Sequence, residues 1–350
     1  MADIATIDKN FSVGATINKE GIKFYDSKCA PFRIFGLMYS EGRFHRIPTD
    51  VAERVSDGVK SLNLNTAGGR LRFRTDSPYV AISVKYTSVG RMPHFAFCGS
   101  IGFDLYDGDR YVKTFVPTVD KKLDFESVVE IGRGKMRDIT VNFPLYSSIS
   151  EIYVGLDENA SVEPPRPYSN EKPIVYYGSS ITQGGCASRP GTCYQGHISR
   201  RFNADYVNLG FSGSARAEDP IIEYIKQLDM GLFVYDYDHN APTPEYLEST
   251  HEKMFLAVRG EHPELPIVMM SRPLAKCNRT ESDERRIEII RKTYENAKSR
   301  GDKNVYFLDG DDLTALCQNE GTVDNCHPTD YGFVSMAAAL GELIEIEKLI

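Results

Sequence analysis

Apolar and polar residues alternate through the first half of the chain. Leu71-Arg72-Phe73-Arg74-Thr75 does so, and Val80, Ile82, Val84 and Tyr86 are interleaved with Ala81, Ser83 and Lys85. Period two puts successive side chains on opposite faces of a half-buried strand. Phe103-Asp104-Leu105-Tyr106 and Tyr111-Val112-Lys113-Thr114-Phe115 flank Asp107-Gly108-Asp109-Arg110, a hairpin signal. Ile139 to Phe143 and Ile152 to Leu156 continue the pattern. No long helical stripe interrupts it, so residues from about 20 to 157 are expected to form an antiparallel sandwich.

The pattern then changes. Residues 158–173 carry four prolines and read as a linker, dividing the chain into 1–165 and 166–350. Beyond it, short apolar runs alternate with helical stripes. Strands are expected at Ile174–Tyr177, Tyr206–Leu209, Leu232–Tyr235, Pro266–Met270 and Val305–Leu308. Helices are expected at Gly196–Phe202, Asp219–Leu228, Pro244–Arg259, Asp283–Arg300 and Tyr331 to about Leu349, the last capped by Asp330. Such alternation implies an α/β unit with a parallel sheet covered on both faces, whose ligands bind at the carboxyl ends of the strands.

Composition narrows the function classes. The 350 residues carry a net charge of −8 and no basic cluster, which argues against nucleic-acid binding. No apolar run is long enough to span a membrane. The opening residues lack an apolar core and are not a signal peptide, so the protein is cytosolic or a leader was trimmed. Of seven cysteines, Cys186/Cys193 and Cys317/Cys326 are close enough in sequence to be disulfide candidates; unpaired buried thiols are the alternative.

Four of the expected strand exits and loops carry unusual residues. They are Gly178-Ser179-Ser180-Ile181-Thr182-Gln183-Gly184, Gly210-Phe211-Ser212-Gly213, Asp236-Tyr237-Asp238-His239-Asn240 and Asp324-Asn325-Cys326-His327-Pro328. A carboxylate at 324 can accept from one nitrogen of His327 and leave the other as a base for Ser180. The Ser180 and Gly210 N–H groups and the Asn240 amide can stabilise an oxyanion, which makes an acyl-transfer site. Taken singly, each residue has a plainer reading: Ser180 as a helix cap, His327 as packing, Asn240 and Gly210 as turn residues. Their order on successive strand ends favours the site. A phosphate loop is disfavoured because no Lys-Ser/Thr follows Gly184, and a G-x-S-x-G elbow because residue 182 is Thr. A shared metal on Asp236, Asp238 and His239 is disfavoured by their alternating faces. Asp309-Gly310-Asp311-Asp312 reads as a solvated loop.

These blocks resemble those of the SGNH/GDSL hydrolase superfamily. Gly178-Ser179-Ser180 stands for its Gly-Asp-Ser, Gly210 for its second block, Asn240 for the Asn of Gly-x-Asn-Asp, and Asp324/His327 for Asp-x-x-His. Gly102-Phe103-Asp104-Leu105-Tyr106 is similar to a Gly-x-Asp-Leu-Tyr motif of a subgroup with an amino-terminal β-sandwich, which looks like bacterial carbohydrate esterases that remove acetyl groups. The resemblance implies a flavodoxin-like three-layer α/β/α domain with a five-stranded parallel sheet, preceded by a jelly-roll-like antiparallel sandwich. It implies a Ser180-His327-Asp324 esterase with no metal or cofactor, acting on a small-molecule or glycan ester. A lipase, arylesterase or thioesterase on a non-sugar ester, or an inactive glycan-binding protein, remain alternatives, and the oligomeric state is open. A Cys317–Cys326 bridge would anchor the His327 loop, and the close cysteine pairs point to a periplasmic or secreted protein.

Overall fold

Alternation in the first half builds two antiparallel sheets with their apolar faces together. The computed structural model describes residues 17, 19–117, 123–132, 134–170 and 172–350. One sheet has the order β1 (Ile22–Asp26), β11 (Ser147–Asp157), β6 (Tyr79–Val89), β9 (Asp124–Glu130). The other runs β12 (Val162–Glu163), β5 (Arg70–Thr75), β10 (Arg137–Asn142), β7 (Phe103–Asp107), β8 (Arg110–Phe115), with β2 (Arg33–Phe35) also on β5. A separate hairpin joins β3 (Met38–Ser40) and β4 (Arg43–His45). Leu71 and Phe73 of β5 point into the shared core with Ile82, Val84, Ile139 and Val141.

The opposite face of β5 departs from simple alternation. Arg70 and Arg72 are buried rather than solvated, because the second half and the proline-rich segment cover them. Arg70 pairs with Asp205 at 2.5 Å, and Arg72 lies over the Tyr168 ring, 3.9 Å from its centroid. The expected linker is therefore packed chain: Val162–Glu163 adds a short strand, and the Tyr168 hydroxyl accepts from Arg70 Nε at 3.1 Å. The Gly-x-Asp-Leu-Tyr motif holds the same seam. Buried Asp104 accepts from Arg189 Nη1 at 2.9 Å and from the Gly191 N–H at 2.8 Å.

The second half forms a five-stranded parallel sheet, order β14 (Tyr206–Gly210), β13 (Ile174–Gly178), β15 (Leu232–Asp236), β16 (Ile267–Met270), β17 (Val305–Leu308). Every residue of β13 is buried, as both faces are covered. Val175 and Tyr177 enter one core, Ile174 and Tyr176 the other. Register sets Gly178 beside both Gly210 and Asp236, bringing three strand ends to one edge.

Several expectations are corrected. Residues 20–157 are not strand alone: helices Thr49–Val55 and Asp57–Leu62 interrupt them, and Val51, Ala52 and Val59 join a core of the parallel sheet. Residues 309–312 are no solvated loop. The Asp309 and Asp312 side chains form a capping box on the short helix Gly310–Leu313. The last helix, Asp330–Glu347, starts one residue early, so Asp330 does not cap it. Its carboxylate instead accepts from the Ser188 N–H at 2.8 Å and the Thr192 hydroxyl at 2.7 Å. All seven cysteines are unbonded. Cys193 is buried against Gly184, while Cys186 groups with His94 and His327. Cys317 donates to the Gln318 carbonyl, while Cys326 meets His239. The partners of each close pair are thus directed to different sites.

Candidate active site

Strand β13 ends at Gly178, where a side chain would collide with Asp236: an added Cβ would lie 1.6 Å from Oδ1. Ser179 then caps the short helix Ser180–Gln183, its hydroxyl accepting from the Ile181 N–H at 3.1 Å. Ser180 is the first residue of that helix, where an N–H has no intrahelical acceptor. Burial pushes the Asp236 carboxyl up to about 8, opposed by the Thr182 hydroxyl that donates to it. Asp236 therefore braces the turn.

The loop before the last helix delivers the base. His327 Nε2 lies 2.9 Å from Ser180 Oγ, and Nδ1 lies 2.7 Å from Asp324 Oδ2. Asp324 Oδ1 also accepts from the His327 and Cys326 N–H groups, at 2.7 and 3.1 Å. One carboxylate thus fixes both the ring and its backbone. Burial raises the Asp324 pKa, but these bonds from His327 outweigh it and the net shift is downward.

A cysteine completes the environment. Cys326 Sγ is 3.2 Å from His239 Nε2. Burial raises this thiol, but the bond to His239 and the nearby His327 ring dominate and bring it down to about 6. Reciprocally, the nearby Cys326 thiol, with Asp324 adding to it, overcomes desolvation and raises His327 to about 9.

The expected oxyanion donors fare differently. Asn240 reaches the site edge with one amide hydrogen on the Phe211 carbonyl at 3.0 Å, and among the described residues none accepts its second. Gly210 is a correction. Its N–H donates to Asn208 Oδ1 at 2.9 Å and its carbonyl accepts from Arg46, so it has no donor to offer. Three residues on, exposed Gly213 sits at φ +66° in the same turn. Its neighbour Ser212 donates its N–H to Gln183 Oε1 at 3.0 Å, tying that turn to the Ser180 helix. Among the described residues, no group accepts from the Gly213 N–H.

The three acidic-block residues are separated by their bonds. Asp236 faces Thr182, Asp238 accepts from the Arg272 N–H at 3.2 Å, and His239 faces Cys326. Metal-ligating geometry occurs elsewhere: His94, Cys186 and His327 form one trio and Asp324, Cys326 and His327 another, each with donor atoms within 4.8 Å.

Other residues here escaped sequence reasoning. His94 brings its ring centroid to 6.0 Å from that of His327. The Tyr146 hydroxyl donates to the Ser180 carbonyl at 3.4 Å. Both come from the first half, and no spacing signal links them to the strand-end blocks. Cys326 and His239 lay within those blocks, but only the fold shows that they meet. The whole arrangement supplies a hydroxyl, a base, a carboxylate on that base and free N–H donors, which are the parts for acyl transfer.

Comparison with known proteins agrees with this chemistry. The profile of the GDSL-like lipase/acylhydrolase family matches residues 171–345, and that of the N-terminus of SGNH-hydrolase-type esterases matches residues 22–162. A Bacteroides ovatus protein described as a GDSL-like lipase is 27% identical with TM-score 0.83, over 93% of this chain and 98% of that one. A salicylyl-acyltransferase from a tetracycline biosynthetic pathway is 19% identical with TM-score 0.76, over 95% and 99%. An acetyl xylan esterase from the rumen bacterium Butyrivibrio proteoclasticus is 12% identical with TM-score 0.58, over 93% and 98%; identities this low show a common fold. No curated protein sequence matches the chain.

Proposed function

Because this chain belongs to the GDSL-like lipase/acylhydrolase family, we propose that it is a serine esterase that removes short acyl groups, acetyl above all, from carbohydrates. The observation that carries the mechanism is the His327 imidazole held between Ser180 Oγ at 2.9 Å and Asp324 at 2.7 Å. Neutral His327 takes the Ser180 proton as the hydroxyl attacks the ester carbonyl. Asp324 stabilises the imidazolium that results. The N–H groups of Ser180 and Gly213 and the free Asn240 amide hydrogen receive the oxyanion, Gly213 taking the place expected of Gly210. His327 then protonates the leaving alcohol. Water, deprotonated by the same imidazole, releases the acid and restores Ser180.

The carbohydrate part rests on likeness to proteins described as carbohydrate esterases, one of them in complex with cellohexaose. Ser180→Ala is expected to abolish hydrolysis of a small acetate ester and labelling by a fluorophosphonate probe, with an unchanged melting temperature. Labelling of the variant would remove Ser180 from its role. An ester panel then decides the substrate. Acetylated xylose and xylan should outrun longer-chain esters, and the reverse order would favour a lipase.

A further inference from the structure

We propose that His94, Cys186 and His327 form a site for a zinc-like divalent metal that switches the esterase off reversibly. The switching rests on the reading of His327 as the general base; the metal site itself does not. Nothing in the reaction uses His94 or Cys186, yet their donor atoms and that of His327 lie within 4.8 Å of one another. Tetrahedral zinc with nitrogen ligands at about 2.0–2.1 Å and sulfur at about 2.3 Å holds its donors roughly 3.3–3.8 Å apart, so small rotations close the trio on one ion.

The orientation of His327 also fits. Its Nδ1 is engaged by Asp324, which leaves Nε2 for a metal. The Cδ2 beside Nε2 faces Gly185, the residue before Cys186, where an added Cβ would approach it to 3.2 Å. Cys186 is unbonded and holds φ +74°, a backbone state that residues with a side chain rarely adopt and that clusters at functional sites. Two imidazoles and a thiolate select zinc or copper over magnesium or calcium. The competing trio of Asp324, Cys326 and His327 is weaker, since a metal on Nδ1 has to break the Asp324–His327 bond.

Binding moves no electrons, and His327, where protonated, first loses its Nε2 proton to solvent. Cys186 releases its thiol proton to solvent, and the metal takes the Nε2 lone pair that otherwise accepts from Ser180. Ser180 Oγ, 2.9 Å from Nε2, or a water fills the fourth position. With that lone pair occupied, Ser180 has no base. The site also joins the two halves of the chain, since His94 belongs to the first and the other two ligands to the second.

The test titrates the full chain with zinc chloride in a non-chelating buffer. Binding is read by calorimetry and hydrolysis by a small acetate ester. Zinc should bind and inhibit, EDTA should restore the rate, and magnesium should do neither. Cys186→Ser and His94→Ala should each retain metal-free hydrolysis while weakening both zinc binding and inhibition by about 10–100-fold. No calorimetric zinc binding, or variants as sensitive as the parent, would overturn the proposal. Zinc binding that depends on both ligands in a chain whose hydrolysis it does not change would keep the site and overturn the role of His327 as base.

Discussion

Replacing Cys326 by serine should make the enzyme faster at neutral pH. The Cys326 thiol close beside the ring is the largest influence raising His327 from 6.5 to about 9, and a raised imidazole is largely protonated at pH 7. A protonated base cannot accept the Ser180 proton, so activity is carried by the neutral fraction, roughly one molecule in a hundred two pH units below the pKa. Serine keeps the size and a hydrogen-bonding hydroxyl but carries no charge at neutral pH. Asp324 still raises His327, so the pKa falls toward 6.5 without reaching it. Each unit of fall is tenfold in the neutral fraction, giving ~10–50-fold higher kcat/KM at pH 7 in Cys326→Ser. The sign follows from the direction of the shift: the gain is largest below pH 9 and vanishes above it, where both forms are neutral. A pH-stat assay of acid release from a small acetate ester between pH 5.5 and 10 reads the acid limb directly. An acid limb at the same pH in both proteins refutes the argument, as does a variant that is slower throughout.

Three further outcomes follow from the site and its supports. Asp324→Asn keeps the loop hydrogen bonds in part but loses the charge facing the imidazolium, and kcat should drop about 10³–10⁴-fold; a stopped assay under substrate saturation checks it. Asn240→Ala removes one oxyanion donor and should cost about 10²–10³-fold in kcat with little change in KM, measured from full saturation curves. Arg46→Met takes a fully buried guanidinium from the carbonyls of Gly210, Asn208 and Leu62. Burial without a carboxylate partner already lowers the Arg46 pKa to about 9, which offsets part of the loss, so unfolding should become easier by about 2 kcal/mol. The shift in urea midpoint reports it, and an unchanged midpoint would count against the bonds.

Much of the architecture was legible because it is written in short-range order. Period two along residues 71–86 specifies strands, and short apolar runs separated by helical stripes specify a parallel sheet. The same order puts Ser180 after one strand, Asn240 after another, and Asp324 three residues before His327. Helices Thr49–Val55 and Asp57–Leu62 were missed for a reason that lies outside their own segment. They are only seven and six residues long, and what they bury against is the parallel sheet of the other half. Arg70 and Arg72 show the same limit: alternation says that they share a face of β5, but not that Asp205, Tyr168 and Tyr206 close over it.

Local order by itself thus determined the fold class, the strand ends and the serine, histidine and aspartate that stand near them. Only the tertiary structure decided which donors remain free and which thiols approach the base. Gly210 has an N–H by composition, but Asn208 consumes it. Cys326 was a candidate for a bridge with Cys317, yet it faces His239 and His327. The physical reason is that a hydrogen-bonding group can be claimed by whatever comes within about 3 Å of it, and that neighbour is set by packing rather than by position along the chain.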